Sequence, residues 1–250
     1  MAHPLLRPRA LVRHLIVLTV VVTCVALGQW QLARLAEVRA TNARLAERMQ
    51  VEARDLDALV SSAADENVAA DDLEFRRVRM TGTFRPGEEV LQRNRAHLGQ
   101  SGYHVLTPFE TTGGNVVLVR RGWVPPDHDE PPVADAAPPA GEVAVTAILE
   151  APVPQPRFGA RDPADGQLDR VFHTDTARLD AQVAGDLFPM VARLTADAPA
   201  RDGPLPLALG PPQLDEANHQ SYAVQWHSFA IIAAVGYGAW TWRQRRTTQR

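Results

Sequence analysis

Apolar positions along the chain form two unbroken stretches near its ends and change period between them. Residues 14–33, HLIVLTVVVTCVALGQWQLA, run twenty positions between Arg13 and Arg34 without a charge. That is the length needed to cross about 30 Å of hydrocarbon as a helix. A cleaved signal peptide has a similar look, but a second stretch, 220–242, QSYAVQWHSFAIIAAVGYGAWTW, also lacks Asp, Glu, Lys and Arg. After the first stretch Leu32, Leu35, Val38, Leu45, Met49, Leu56 and Leu59 recur at helical spacing, predicting a membrane-proximal helix over 29–60 that packs on the domain. SSAADEN (61–67) reads as a break.

The period then becomes two. FRRVRMTGTF (75–84), VLQRNR (90–95), GYHVLTPF (102–109) and VVLVRRGWV (116–124) alternate or are rich in strand formers. RPGEE (85–89) is a turn, and the short separations predict antiparallel neighbours. PPDHDEPPVADAAPPAG (125–141) is a proline-rich acidic loop whose composition does not favour a packed core. EVAVTAILEA (142–151) and FPMVARLTA (188–196) are later strands. TDTARLDAQVAG (174–185) predicts a short helix capped by Thr174 or Asp175 and stopped at Gly185. GPLPLALGPPQLDE (203–216) is a connecting loop. The expected fold is membrane α+β: two transmembrane helices flanking a mostly antiparallel β domain, a curved sheet or open barrel.

Charge adds an orientation. Arg7, Arg9 and Arg13 precede the first stretch, Arg243, Arg245, Arg246 and Arg250 follow the second, and all 29 acidic residues lie between them. Basic flanks stay in the cytoplasm. The expected layout is a cytoplasmic N-terminus (1–13), a first span (14–33), an acidic extracytoplasmic domain (34–219), a second span (220–242) and a cytoplasmic tail (243–250). Trp30, Tyr237, Trp240 and Trp242 fit interfacial belts. The acidic domain excludes nucleic acid as a partner. No lysine occurs among the 250 residues, which with the abundant Ala, Arg and Pro suggests a GC-rich, bacterial source and a bacterial cell membrane. Cys24 is the single cysteine, so no intrachain disulfide forms; in its apolar run it reads as a small packing hydrophobe.

Chemistry is sparse. The chain has no G-x-S-x-G, P-loop, H-E-x-x-H or dinucleotide fingerprint, and it is not expected to be an enzyme. Asp127 and Asp129 read as solvated loop charge, with His128 between them at most a weak cation site. His97, His104, His128 and His173 stand singly, without the i, i+3 or i, i+4 spacing of a paired metal site. In RRGWVP (120–125), Arg120, Arg121, Gly122 and Trp123 are candidates for gripping an anionic partner. The same residues also suit a plain strand end, with Trp123 on the core and Gly122 at a bulge. In NHQSYAVQWHSFA (218–230), His219 and Trp226 are seven apart, two turns along one helical face. His219 falls where an apolar helix meets the membrane surface. A neutral imidazole beside an apolar groove is what an axial haem ligand requires; an ordinary interfacial His and Trp give the same pattern. His227, inside the stretch, is explained by a helix-packing hydrogen bond.

Four blocks resemble a known family. GQWQLARL (28–35), RRVRMTGTF (76–84) with GYHVLTPF (102–109) and VLVRRGWVP (117–125), and NHQSYAVQW (218–226) are similar, in order, to the motifs of the Surfeit locus protein 1 (Shy) family. The resemblance spares the proline-rich insert and residues 152–187. It implies an assembly factor for haem–copper cytochrome c oxidase that helps place haem a in the catalytic subunit, with haem a synthase as a further partner. By motif position it implies that His219 and Trp226 bind the haem, His219 through its iron. Gln220 departs from the apolar residue the family carries there and makes that edge more polar. The short N-terminal region fits a bacterial member rather than a mitochondrial precursor. The alternative expectation is a cofactor-free membrane scaffold that steadies an oxidase assembly intermediate; a membrane-anchored sensor is a more distant third.

Overall fold

The computed structural model describes residues 8–66, 70–195, 203–212, 216 and 218–248. The chain divides into two compact units, one bounded by Leu45 and Pro212 and one formed by the chain on either side of it.

The flanking unit is helical. α1 runs Pro8–Gln50 and α5, the last helix, runs His219–Thr248. The two lie antiparallel, as their contacts show: His219 meets Gln31, His227 meets Gln29, and Tyr237 meets His14. Gly28 sets the closeness of this pairing, since a Cβ there would overlap the His227 ring. Cys24, Leu35, Ala223 and Ala230 are buried, whereas Leu15, Ile16, Leu18, Val22, Ile231, Ile232 and Val235 are exposed. Such an apolar surface suits lipid rather than water. Among the described residues one helix, α1, has the length and hydropathy to cross a bilayer. In α5 the polar side chains of His219, Gln220, Gln225, His227 and Ser228 dilute the first three turns. Near the other end, Tyr237 stacks on Trp240, Arg13 lies over Trp240 and Arg246 over Trp242.

The helical period read over 29–60 is broken. α1 ends at Gln50 and a new helix, α2, begins at Leu56. Between them Arg54–Asp55 forms a short strand, β1. The Asp55 carboxylate accepts from the Ala58 amide at 3.0 Å, a capping contact that starts a fresh helix. α2 continues to Glu66, over 61–66 of the SSAADEN segment expected to be a break; Asn67 lies outside the described residues. There the Ser61 and Ser62 hydroxyls donate back to the carbonyls of Asp57 and Leu59, so these polar residues stay in the helix. α3, Ala70–Leu73, follows.

The strands are β2 Arg77–Phe84, β3 Val90–His97, β4 Gln100–Thr111, β5 Val116–Val124, β6 Val143–Glu150, β7 Arg170–Val171 and β8 Leu187–Leu194. β3–β4 and β4–β5 are the antiparallel hairpins expected. β2 and β3, also close in sequence, are not paired; β2 pairs with β6 and again with β4. Since β6 pairs with β8, and β8 runs parallel to β5, the strands β2–β6–β8–β5–β4 close a five-membered ring. The β domain is therefore barrel-like, with β1, β3 and β7 added outside the ring.

Val78, Met80, Phe84, Phe109, Val117, Val119, Val145, Ala147, Leu149, Met190 and Ala192 fill one core together with Leu56 and Leu59 of α2. Each of the Val, Leu, Met and Phe side chains contributes about 1.5–3 kcal/mol through burial. A second core uses the opposite side chains, among them Val90, Leu106, Leu118 and Val191. Leu168, Val171, Leu179 and Val183 cover it from residues 168–183. The helix read over 174–185 is shorter, α4 Thr176–Asp180, and Asp175 is its cap. The proline-rich loop, not expected to pack, buries Val133 and Ala136 against Leu91, Val105 and Val124.

Candidate functional site

His219 opens α5, and its ring is half buried. Its Nδ1 lies 2.7 Å from Gln31 Oε1 on α1. An amide oxygen only accepts, so Nδ1 is the donor; in the neutral ring Nε2 then keeps its lone pair. Nε2 has no hydrogen-bond partner among the described residues. A ring held by its second nitrogen, with the first one open, is how proteins prepare an imidazole for metal. Among the described residues no three His, Cys, Asp or Glu side chains converge as a metal site. His219 would hold an iron through a single nitrogen of this group. The donor set fits a haem iron.

Trp226 lies two turns on along α5, half buried, its ring edge-on to Phe229 at 5.9 Å. Ala223 between the two is buried and Tyr222 is exposed. His227 has a different fate. Its Nδ1 donates to the Ala223 carbonyl at 2.7 Å, its Nε2 faces the Gln29 amide at 3.5 Å, and its ring fills the space Gly28 leaves. Both nitrogens are engaged within the helix pair.

RRGWVP is drawn inward. β5 carries a bulge at Arg121: Gly122 pairs with Val105 and Arg120 with Leu106, leaving Arg121 extra. The Arg121 guanidinium, 2% exposed, donates to Glu89 Oε2 at 2.6 Å, to Thr107 Oγ1 at 2.8 Å and to the Ala136 carbonyl at 2.7 Å. Glu89 also accepts from Thr107 Oγ1 and from the Val133 amide. Trp123 is buried, donates its indole N–H to the Arg95 carbonyl at 2.8 Å, and lies beside His97. Gly102 and Gly122 make room for the Trp123 ring and for the Leu207 carbonyl.

Arg120 pairs with Glu150, which also accepts from Arg193 at 2.5 Å. Beside them His104 is held to a pKa of about 3, first by burial and then by the charges of Arg120, Arg95 and Arg193. The unfolded chain takes up this proton near pH 6.5 and the folded one only near pH 3. This group therefore costs no stability above about pH 6.5 and withdraws it progressively as the pH falls toward 3. Melting curves at pH ~7 and ~4.5 test this: the acid-induced drop in Tm should be smaller in His104→Gln than in the parent. Equal drops would remove His104 from the acid response.

His219, Trp226 and the RRGWVP residues stand out in the sequence, whereas Gln31, Gly28, Glu89 and Glu150 do not. Gln31 and Gly28 lie in the GQWQLARL block, where a polar amide and a small residue inside an apolar stretch were the available signal. Glu89 is hidden in a turn, and Glu150 at a strand end.

The known proteins that this chain resembles form one group. A sequence model described as the SURF1 family matches residues 18–231. An uncharacterized SURF1-like protein of Mycobacterium bovis is 32% identical over 98% of this chain and 88% of its own length. SURF1-like proteins of Monosiga brevicollis, 30% identical over 92% of this chain and 86% of theirs, and of Rickettsia conorii, 27% over 85% and 84%, are also similar.

Proposed function

Because the chain belongs to the SURF1 family, whose members are generally oxidase assembly factors, we propose that it assists placement of haem a in the catalytic subunit of a haem–copper cytochrome c oxidase. In this reading α1 and α5 both span a bacterial cell membrane, the termini are cytoplasmic, and the acidic β domain is extracytoplasmic. The protein acts by binding rather than by catalysis, with the oxidase subunit and haem a synthase as partners.

One observation carries the proposal: the imidazole of His219 is oriented by Gln31 and keeps Nε2 open at the start of α5. Bound haem a would supply an iron centre, and His219 would be the residue that holds it. Gln31 orients the ring by accepting from Nδ1. Trp226 offers an aromatic face on the same side of the helix. The exposed apolar residues of α1 and α5 would offer a macrocycle a surface that excludes water. Arg120–Trp123 serve as partner candidates by holding β5 and the proline-rich loop in shape.

The test is the absorption spectrum of protein purified from a host that makes haem a. The parent is expected to carry haem, His219→Ala to lose it, and Gln31→Ala to bind about 10- to 100-fold more weakly. Full haem occupancy in His219→Ala would refute the ligand assignment. A colourless parent that still captures oxidase subunits would favour the cofactor-free scaffold.

A further inference from the structure

A pocket in the β-domain unit is lined by four arginines and one acid. Arg48 comes from the last turn of α1, Arg54 from β1, and Arg76 and Arg77 from the entry to β2. Glu52 is the acid, and Val51 and Leu59 supply the apolar wall. The volume is about 220 Å³, room for several waters or a compact anion.

Arginines gathered this closely repel one another unless something neutralises them. Elsewhere in the domain the fold supplies a carboxylate: Glu89 for Arg121, and Glu150 for Arg120 and Arg193. Here it does not. Arg54, Arg76 and Arg77 form no ion pair among the described residues, and Nε of Arg77 is buried with no partner. Arg76 spends one donor, Nε, on the Asp72 carbonyl, and Arg48 donates to the Glu74 carbonyl.

The backbone is arranged to bring two of these side chains together. Consecutive strand residues face opposite ways, yet Arg76 and Arg77 line one pocket. Arg76 lies just outside β2, where strand alternation does not apply, and it follows Phe75, whose φ of +62° is rare for a bulky residue. Phe75 is held there by its amide on the Leu149 carbonyl at 2.7 Å and by the Leu149 amide on the Arg76 carbonyl at 3.0 Å. Strain of this kind persists where the surroundings enforce it, and it clusters at binding sites.

We propose that this pocket binds a phosphate group, held by the guanidinium forks of Arg54, Arg76 and Arg77. Phosphate offers the multiple oxygens that three arginines can engage at once. The group can be free phosphate or a phospholipid headgroup. Glu52 offsets one of the four positive charges, and the pocket stays cationic.

The experiment is thermal melting of the full-length protein in detergent, titrated with inorganic phosphate or glycerol phosphate against chloride at matched ionic strength. A ligand that binds the folded state raises Tm with concentration. Phosphate should raise Tm beyond chloride, and Arg54→Gln/Arg76→Gln should weaken the apparent affinity about tenfold or more. A larger effect of glycerol phosphate assigns the headgroup; an equal or larger effect of inorganic phosphate assigns the free anion. Arg54 has an exposed side chain on a two-residue edge strand, so Arg54→Gln alone serves as a variant whose folding is not in question. It should lose affinity severalfold with an unchanged far-UV spectrum. No rise beyond chloride in the parent, or an undiminished rise in the variants, overturns the proposal.

Discussion

Replacing Glu89 by Ala is expected to lower the stability of the β domain by about 3–5 kcal/mol, the range for leaving one member of a buried ion pair alone. Glu89 and Arg121 have side chains 1% and 2% exposed, so water cannot take over the role of the missing partner. The change also removes the acceptor for the Thr107 hydroxyl and the Val133 amide. Through Val133 and Ala136 the same network ties the proline-rich loop to β3, β4 and β5. A loss of this size is a large share of the 5–15 kcal/mol that holds ordinary domains together. Thermal melting followed by circular dichroism should show Tm lowered by roughly 10 °C or more. The double variant Glu89→Leu/Arg121→Met should recover much of that loss, because an apolar pair of similar size needs no counter-charge. A single variant within a degree or two of the parent would mean that Arg121 has found another acceptor.

Much of the β domain was legible in the sequence. β5 came out at its observed bounds, and β2, β3, β4, β6 and β8 within about two residues, because strand alternation and glycine-bearing turns are local signals. What stayed hidden was non-local. No local pattern says that β8 runs parallel to β5, or that β2 turns from β6 to reach β4. The helix break at 51–55 was missed because Met49 and Leu56, seven apart, keep the helical spacing across it, and only the Asp55 cap and the pairing of β1 with β2 reveal it. The candidate site divides the same way. His219 stands out as an ionisable ring at the edge of an apolar run. Its partner Gln31 lies 188 positions away, and only the antiparallel helix pair brings them together. In RRGWVP the sequence pattern puts the bulge at Gly122; the extra residue is Arg121, its neighbour, which turns the guanidinium toward Glu89.

The largest effect of a small change is expected at Gly82, where the ring closes. Gly82 sits on two ladders at once, opposite Val143 of β6 and Thr111 of β4. A Cβ at this position would lie 2.8 Å from Thr111 Cα and closer still to the Glu110 carbonyl oxygen. Both are backbone atoms, so no rotamer change relieves the overlap; β2 must move off β4. That movement separates Thr83 from Glu110 and Phe84 from Phe109, and it undoes the edge-on packing of the two phenylalanine rings at 4.8 Å. Gly82→Ala is therefore expected to cost about 4 kcal/mol or more, above the range of ordinary overpacking, and Gly82→Val more still. Hydrogen exchange gives the location: amides across β2–β4 should lose protection, while those of the β4–β5 hairpin keep it. The Arg121 network leaves β2 out and connects β3, β4 and β5, so the hairpin has support of its own. If exchange instead rose uniformly, closure of the ring would be inseparable from folding of the whole domain. If Gly82→Ala melted with the parent, the close approach of β2 to β4 would not be what holds the barrel shut.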